Sequence, residues 1–165
     1  MRHVLLLDDD INVLHALRRA LRTCAPGEEL SVEIFTNPFE ALTRCCAFNF
    51  DLVISDQRMP QMNGIDFLNA LRDVAPSSVR MMLSASTDFE TALDAINQAQ
   101  VFRYIAKPWQ SEQLREAVAL ALQWRDRLLR EQGELTPQEI EARRLEAEEP
   151  GITSVKWGPD GSIIL

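Results

Sequence analysis

"VLLLDDD", residues 4–10, sets four apolar side chains directly against three carboxylates. A short unbroken apolar run bounded by polar residues suits a strand buried on both faces, as in a parallel sheet. Its ending is the puzzle, because two unit charges about 4 Å apart repel by roughly 4 kcal/mol at the effective dielectric near a protein surface. Water, a shifted pKa or a bound cation can offset that repulsion, and the rest of the chain chooses among them.

Working outward, the same grammar recurs. Residues 3–7 read as the first strand, and Ile11, Leu14, Leu17 and Leu21 then repeat at helical spacing. "LSVEIF" at 30–35 is a second strand, followed by Asn37-Pro38-Phe39-Glu40, an N-cap with proline at the first helical position and Glu at the third. "DLVIS" at 51–55 is a third strand, with a helix over 64–74. Residues 79–83 form a fourth strand, and Thr87-Asp88-Phe89-Glu90 opens another capped helix. Residues 101–106 make a fifth strand, and a long helix runs from Ser111 to about residue 130.

Five strand-then-helix units imply parallel pairing through right-handed crossovers, hence an α/β, doubly wound five-stranded sheet with helices on both faces. Functional groups in such sheets gather outside the carboxyl ends of the strands. Asp8, Asp9 and Asp10 follow the first strand, Asp56 the third, Ser84 the fourth and Lys107 the fifth, so the candidate chemistry falls on one edge. Clustered carboxylates with hard oxygens suit Mg2+, which turns their repulsion into coordination and keeps them ionised. With a hydroxyl and an ammonium facing it, such a carboxylate is placed to receive a phosphoryl group. Lys107 is informative because the chain has 15 Arg and only two Lys, the other being Lys156. A compact ammonium serves a phosphate as a point charge. The bond from Lys107 to Pro108 also has access to the cis form, which would fix where the lysine points.

Composition narrows the classes. With 165 residues, 46% of them hydrophobic, the chain can bury one core of ordinary size and carry an appendage. A net charge of −8 argues against a surface built for nucleic acid, which needs clustered Lys and Arg. Cys24, Cys45 and Cys46 lack metal-ligand spacing and read as reduced thiols. Only four apolar residues precede the first carboxylates, too few for a signal-peptide core or a membrane span, so a cytoplasmic protein is expected. His3 and His15 have no partners at ligand spacing and read as structural or surface residues.

The four motifs "LLLDDD", "DLVISDQRMPQMNG", "MMLSAS" and "YIAKPW", in this order and at these separations, resemble the receiver domain of bacterial two-component response regulators over roughly residues 1–125. The resemblance implies the flavodoxin-like strand order 2-1-3-4-5. It also implies Asp56 as phosphoacceptor, Asp8 and Asp9 as the acid pair for Mg2+, and the backbone carbonyl of Arg58 as a further metal ligand. Ser84 matches the switch hydroxyl, Lys107 the phosphate-binding lysine and Tyr104 the aromatic that turns inward on activation. Asp10 aligns with a variable position. A sensor histidine kinase or phosphotransfer protein would supply the phosphoryl group, and the receiver would catalyse the transfer. "SDQRMP" with "FRYIAKPW" is similar to receivers joined to HD-type phosphodiesterase or hydrogenase-type regulatory outputs, although Trp109 stands where Phe is commoner and the 165 residues leave no room for either output. Arg58 and Ser86 flank the site and are candidates to tune phosphate lifetime.

Two other classes compete. A haloacid-dehalogenase-like, Mg2+-dependent phosphohydrolase also places Asp after the first strand and a Lys later, and Asp8 with Asp10 has its spacing; it further needs an acid pair after the lysine, and Pro108-Trp109-Gln110-Ser111 has none. A phosphorylation-independent receiver-like scaffold would have no call on Asp56, Ser84 and Lys107, yet all are present.

Residues 126–165 read as a helical extension and tail. Over 131–165 eight acidic residues oppose three basic ones, a net charge of −5 that gives no DNA-binding output. Thr136-Pro137-Gln138-Glu139 predicts a helix to about residue 149, and Gly158-Pro159-Asp160-Gly161 between 153–157 and 162–165 predicts a hairpin. An isolated hairpin is marginal in water, so Trp157, Ile163 and Leu165 call for a docking surface on this receiver, a second copy or a partner. Protein contact, with an unknown downstream protein target and a possible homodimer, is the expected output.

Overall fold

The computed structural model describes residues 1–24, 27, 29–85 and 89–133. Five strands alternate with five helices: β1 (Arg2–Leu7), α1 (Ile11–Leu21), β2 (Leu30–Phe35), α2 (Pro38–Ala47), β3 (Leu52–Ser55), α3 (Gly64–Val74), β4 (Val79–Ser84), α4 (Phe89–Ala99), β5 (Arg103–Ala106) and α5 (Ser111–Gly133). The strands form one parallel sheet in the order β2-β1-β3-β4-β5, as the sequence predicts.

The apolar run of β1 is continuous because the sheet is covered twice. Val4 and Leu6 pack with Leu14, Leu17 and Leu21 of α1 and with Leu114, Val118 and Leu122 of α5. Leu5 and Leu7 point the other way, into a layer shared with Ala41 of α2, Phe67, Leu68 and Leu71 of α3, and Ala95 of α4. Burying each Leu contributes about 1.5–3 kcal/mol. Trp109 packs half-buried on the first layer and Tyr104 on the second. Burial, followed by the neighbouring Cys46, pushes the Cys45 thiol up to about 12, which leaves it inert as a nucleophile.

Local chemistry sets the helix starts. Asn37 caps α2 by accepting from the N–H groups of Phe39 (2.8 Å) and Glu40 (3.2 Å), with Pro38 in the first turn. Asp10 caps α1, accepting from Asn12 N–H at 2.9 Å, so the third carboxylate of the opening run terminates the turn. The capping signature at Thr87 and Asp88 lies outside the described residues.

β5 begins at Arg103, two residues later than the apolar pattern predicts, because Val101 and Phe102 are taken up in closing α4. Gln100 turns left-handed at φ 52°, Val101 N–H reaches back to Ala95 C=O (3.3 Å) and Phe102 N–H donates to Arg80 C=O (2.7 Å). The buried guanidinium of Arg80 donates to the carbonyls of Ala99 (3.0 Å), Ser78 (2.9 Å) and Pro76 (3.3 Å), while Arg72 donates to Gln98 C=O (2.9 Å). Two cations thus sit at the negative end of the α4 dipole. At the same edge of the sheet, away from the carboxylates, Arg125 donates to Ser77 C=O at 2.6 Å and lies 3.3 Å from Asp51, and Arg2 grips Asp126 with two bonds of 2.7 Å.

Residues Met1–Asp126 make up the compact unit just described, and 127–165 group separately. Of the latter only 127–133, the end of α5, are described, so the predicted tail helix and hairpin, with Trp157, Ile163 and Leu165, lie outside the described residues. Among the described residues no helix is long and apolar enough to cross a membrane.

Candidate functional site

Because all five strands run the same way, their carboxyl ends share one rim, to which the neighbours β1 and β3 and, across β4, β5 deliver charges. Asp8 extends β1, its N–H donating to Phe35 C=O (3.2 Å), and Asp56 extends β3, its N–H donating to Leu7 C=O (2.9 Å). These ladder bonds carry the strands one residue past their regular ends and bury both carboxylates, Asp8 at 4% and Asp56 at 7% exposure. Asp9 faces solvent, and carboxylate oxygens of Asp8, Asp9 and Asp56 lie within 4.8 Å of one another.

The ammonium of Lys107 closes the cluster, donating to Asp8 Oδ2 at 2.7 Å and to Asp56 Oδ1 at 3.1 Å. The backbone N–H of Lys107 donates to Ser84 C=O at 2.8 Å, tying β5 to the buried end of β4, and the Lys107–Pro108 peptide is cis. Burial pulls the lysine down, but its hydrogen bond to Asp8 and the charges of Asp56 and Asp8 outweigh burial and hold it above its usual range. Asp56 is raised, first by burial and then by the charge of Asp8, against the opposing pull of Lys107 and of the Gln57 backbone amide. Asp9 is raised by partial burial of its carboxyl and by the hydrogen bond and charge of Asp8.

Three carboxylates and one ammonium leave a formal charge of −2 in hard oxygen donors, and this donor set fits a divalent cation such as Mg2+. Arg58 lies in the loop after β3 and lines, with Asp9, Gln57, Met59, Pro60, Asn63 and Thr91, a cleft of about 480 Å³ beside the carboxylates. Thus the structure brings Asp8, Asp9, Asp56 and Lys107 together directly, with Ser84 joined through its backbone and Arg58 on the rim. Tyr104 stands half-buried on β5 in register with Met82, and Ser86 is outside the described residues.

In the sequence Gln57 has no role of its own, and Asn63-Gly64 reads there as a turn that helps close the loop after Asp56. Asn63 is the N-cap of α3, accepting from Asp66 N–H at 2.8 Å. At Gly64 any Cβ would lie far inside van der Waals contact distance of the Asp56 carbonyl oxygen and 3.0 Å from Gln57 Cα, so glycine is what lets α3 abut the end of β3. The signal was the glycine itself, eight residues after Asp56.

The response regulator receiver domain family matches residues 4–119, and the chain belongs to that family. It is 32% identical over 155 residues to the hydrogenase transcriptional regulatory protein HoxA of Bradyrhizobium diazoefficiens, covering 94% of this chain and 30% of HoxA. It is 32% identical over 138 residues to the cyclic di-GMP phosphodiesterase response regulator RpfG of Xanthomonas campestris pv. campestris, covering 82% of this chain and 34% of RpfG. The signal receiver domain of an HD domain-containing protein from Pseudomonas fluorescens Pf-5 superposes with a TM-score of 0.70 at 28% identity, over 76% of this chain and 97% of that one. The chain therefore spans about a third of the length of these two curated relatives. Their names match the output types that "SDQRMP" and "FRYIAKPW" suggest.

Proposed function

We propose that residues 1–125 form a receiver that accepts a phosphoryl group on Asp56 from the phosphohistidine of a sensor kinase or phosphotransfer protein. The observation that carries this reading is the Lys107 ammonium, held 2.7 Å from Asp8 and 3.1 Å from Asp56 at the rim where carboxylates converge. An Asp56 carboxylate oxygen attacks phosphorus, the P–N bond to the donor imidazole breaks as the new P–O bond forms, and the released nitrogen takes up a proton. Lys107 then pairs with a phosphoryl oxygen, and the Ser84 hydroxyl donates to another. Asp8, Asp9, Asp56 and the Arg58 carbonyl would hold Mg2+, which supplies electrostatic stabilisation to the charge on the transferring group. Movement of Ser84 toward the phosphoryl group frees room for Tyr104 to turn inward, passing the signal to the surface of the sheet.

Residues 126–165 serve as the contact for a downstream protein target or a second copy of the chain. With eight acidic residues against three basic ones, the composition of 131–165 does not suit a phosphate backbone, and the reading places the protein in the cytoplasm without nucleic-acid or membrane partners. Receiver and relay, not turnover of free substrates, is the activity. Incubation with Mg2+ and acetyl phosphate followed by intact-mass measurement tests it: one phosphoryl adduct on the wild type and none on Asp56→Asn is expected. Continuous phosphate release from many substrates would point instead to a phosphohydrolase, and no adduct on either form to a scaffold.

A further inference from the structure

We propose that the Gln57 side chain is the latch that shapes the cation site, closing the 58–63 loop so that the Arg58 carbonyl faces the carboxylates. The inference rests on the reading that Asp8, Asp9, Asp56 and Arg58 hold Mg2+. Gln57 is bound on both sides. Its backbone amide lies against the Asp56 carboxylate and draws that carboxyl's pKa down. Its carbonyl accepts from Gly64 N–H at 2.9 Å, and its side-chain Oε1 accepts from Ile65 N–H at 3.0 Å.

The first four amides of a helix have no partner within the helix. In α3 the first-turn amides are satisfied, Gly64 and Ile65 by Gln57 and Asp66 by Asn63 Oδ1 (2.8 Å), and Phe67 then makes the first helical bond, to Asn63 C=O (3.1 Å). This helix start is therefore a joint and not an anion site. The Asp56 carbonyl is fixed as well, receiving the buried Ser55 hydroxyl at 2.9 Å and leaving no space for a Cβ at Gly64. The loop is thus tethered at both ends through a single residue, and the Arg58 carbonyl is only one peptide plane beyond the pinned carbonyl of Gln57.

The residue type follows from the task. Asparagine, one methylene shorter, falls short of the second amide. Glutamate reaches it but adds a fourth anion to the rim. Glutamine supplies the acceptor at the needed length with no charge.

Calorimetric titration of the full chain with MgCl2, paired with amide exchange, tests the latch. Gln57→Ala is expected to weaken Mg2+ binding about tenfold, as removal of partners that orient metal ligands generally does, and to speed exchange at Ile65 with little change in melting temperature. Gln57→Glu keeps the acceptor and adds a carboxylate, so it is expected to restore Ile65 protection and to bind Mg2+ at least as tightly as wild type. Wild-type affinity in Gln57→Ala despite faster Ile65 exchange overturns the latch alone. Should Gln57→Ala fail to fold, Gln57→Glu decides: weaker Mg2+ binding with Ile65 still protected overturns the latch. A wild-type chain that takes up no Mg2+ overturns the underlying reading together with it.

Discussion

Replacing Asp56 by Asn is expected to stabilise the cation-free protein at neutral pH and to lose that advantage when Mg2+ is added. At an effective dielectric of 20, the Lys107 ammonium at 3.1 Å attracts the Asp56 carboxylate by about 5 kcal/mol. Asp8, within 4.8 Å, repels it by at least about 3.5 kcal/mol, and solvent-screened Asp9 adds a smaller repulsion. The paired charges nearly cancel, so burial decides, and it raises the carboxyl. The folded state therefore holds the Asp56 proton to higher pH than the unfolded chain, whose carboxyl titrates near ~3.9. That contribution to stability is complete below the unfolded value and is lost as pH rises through the folded one. The neutral amide avoids that loss, so Asp56→Asn is expected to melt above wild type at neutral pH when no cation is present. Mg2+ reverses the order, since a ligand at 100 times its Kd stabilises the native wild type by about 2.7 kcal/mol while the variant has one carboxylate fewer to offer. Thermal melts of both proteins in EDTA and in excess Mg2+, at neutral and acid pH, give the answer. A variant that melts below wild type in EDTA at neutral pH, or a difference that Mg2+ leaves unchanged, refutes the charge balance.

Three further outcomes follow from the same geometry. Lys107→Met leaves Asp8 and Asp56 without their shared cation; melts should show a loss of about 3 kcal/mol without Mg2+, tighter Mg2+ binding by calorimetry, and less phosphoryl adduct by mass spectrometry. Gly64→Ala forces a methyl group against the backbone of Asp56 and Gln57; overpacking of about 1–3 kcal/mol exceeds the gain of up to about 1 kcal/mol in helix propensity, and urea unfolding should show a lower midpoint with an unchanged slope. Arg80→Leu strips the carbonyls of Ala99, Ser78 and Pro76 of their donor; this costs about 1–3 kcal/mol, and hydrogen exchange at Val101 and Phe102 should accelerate.

How much of this was legible in the sequence depends on range. The two-sided parallel sheet was readable because burial on both faces demands unbroken apolar runs such as 4–7 and 52–54 joined by right-handed crossovers, whereas the strand order came from the resemblance of the four motifs to receiver domains. The meeting of Asp8, Asp9, Asp56 and Lys107 was readable because parallel strands deliver their ends to one rim. What periodicity does not carry is where a side chain finds its partner. Arg80 reads as a polar residue in a strand, and only the fold shows it closing α4 nineteen residues away. The late start of β5 follows from that same closure. Gln57 carries no local signal, since its two partners lie seven and eight residues on and depend on how α3 approaches β3.

The alternation in β1 has a consequence for how this chain tolerates change. Val4 and Leu6 serve one layer and Leu5 and Leu7 the other, so exchanges among Val, Ile and Leu leave each side chain on its own side. Inserting or deleting one residue there swaps the layers wholesale and swings Asp8 from interior to exterior. In "VLLLDDD" the spelling can drift, but the letter count before the first aspartate is fixed, and a mutational scan should find neighbouring substitutions mild where single-codon indels abolish folding and chemistry together.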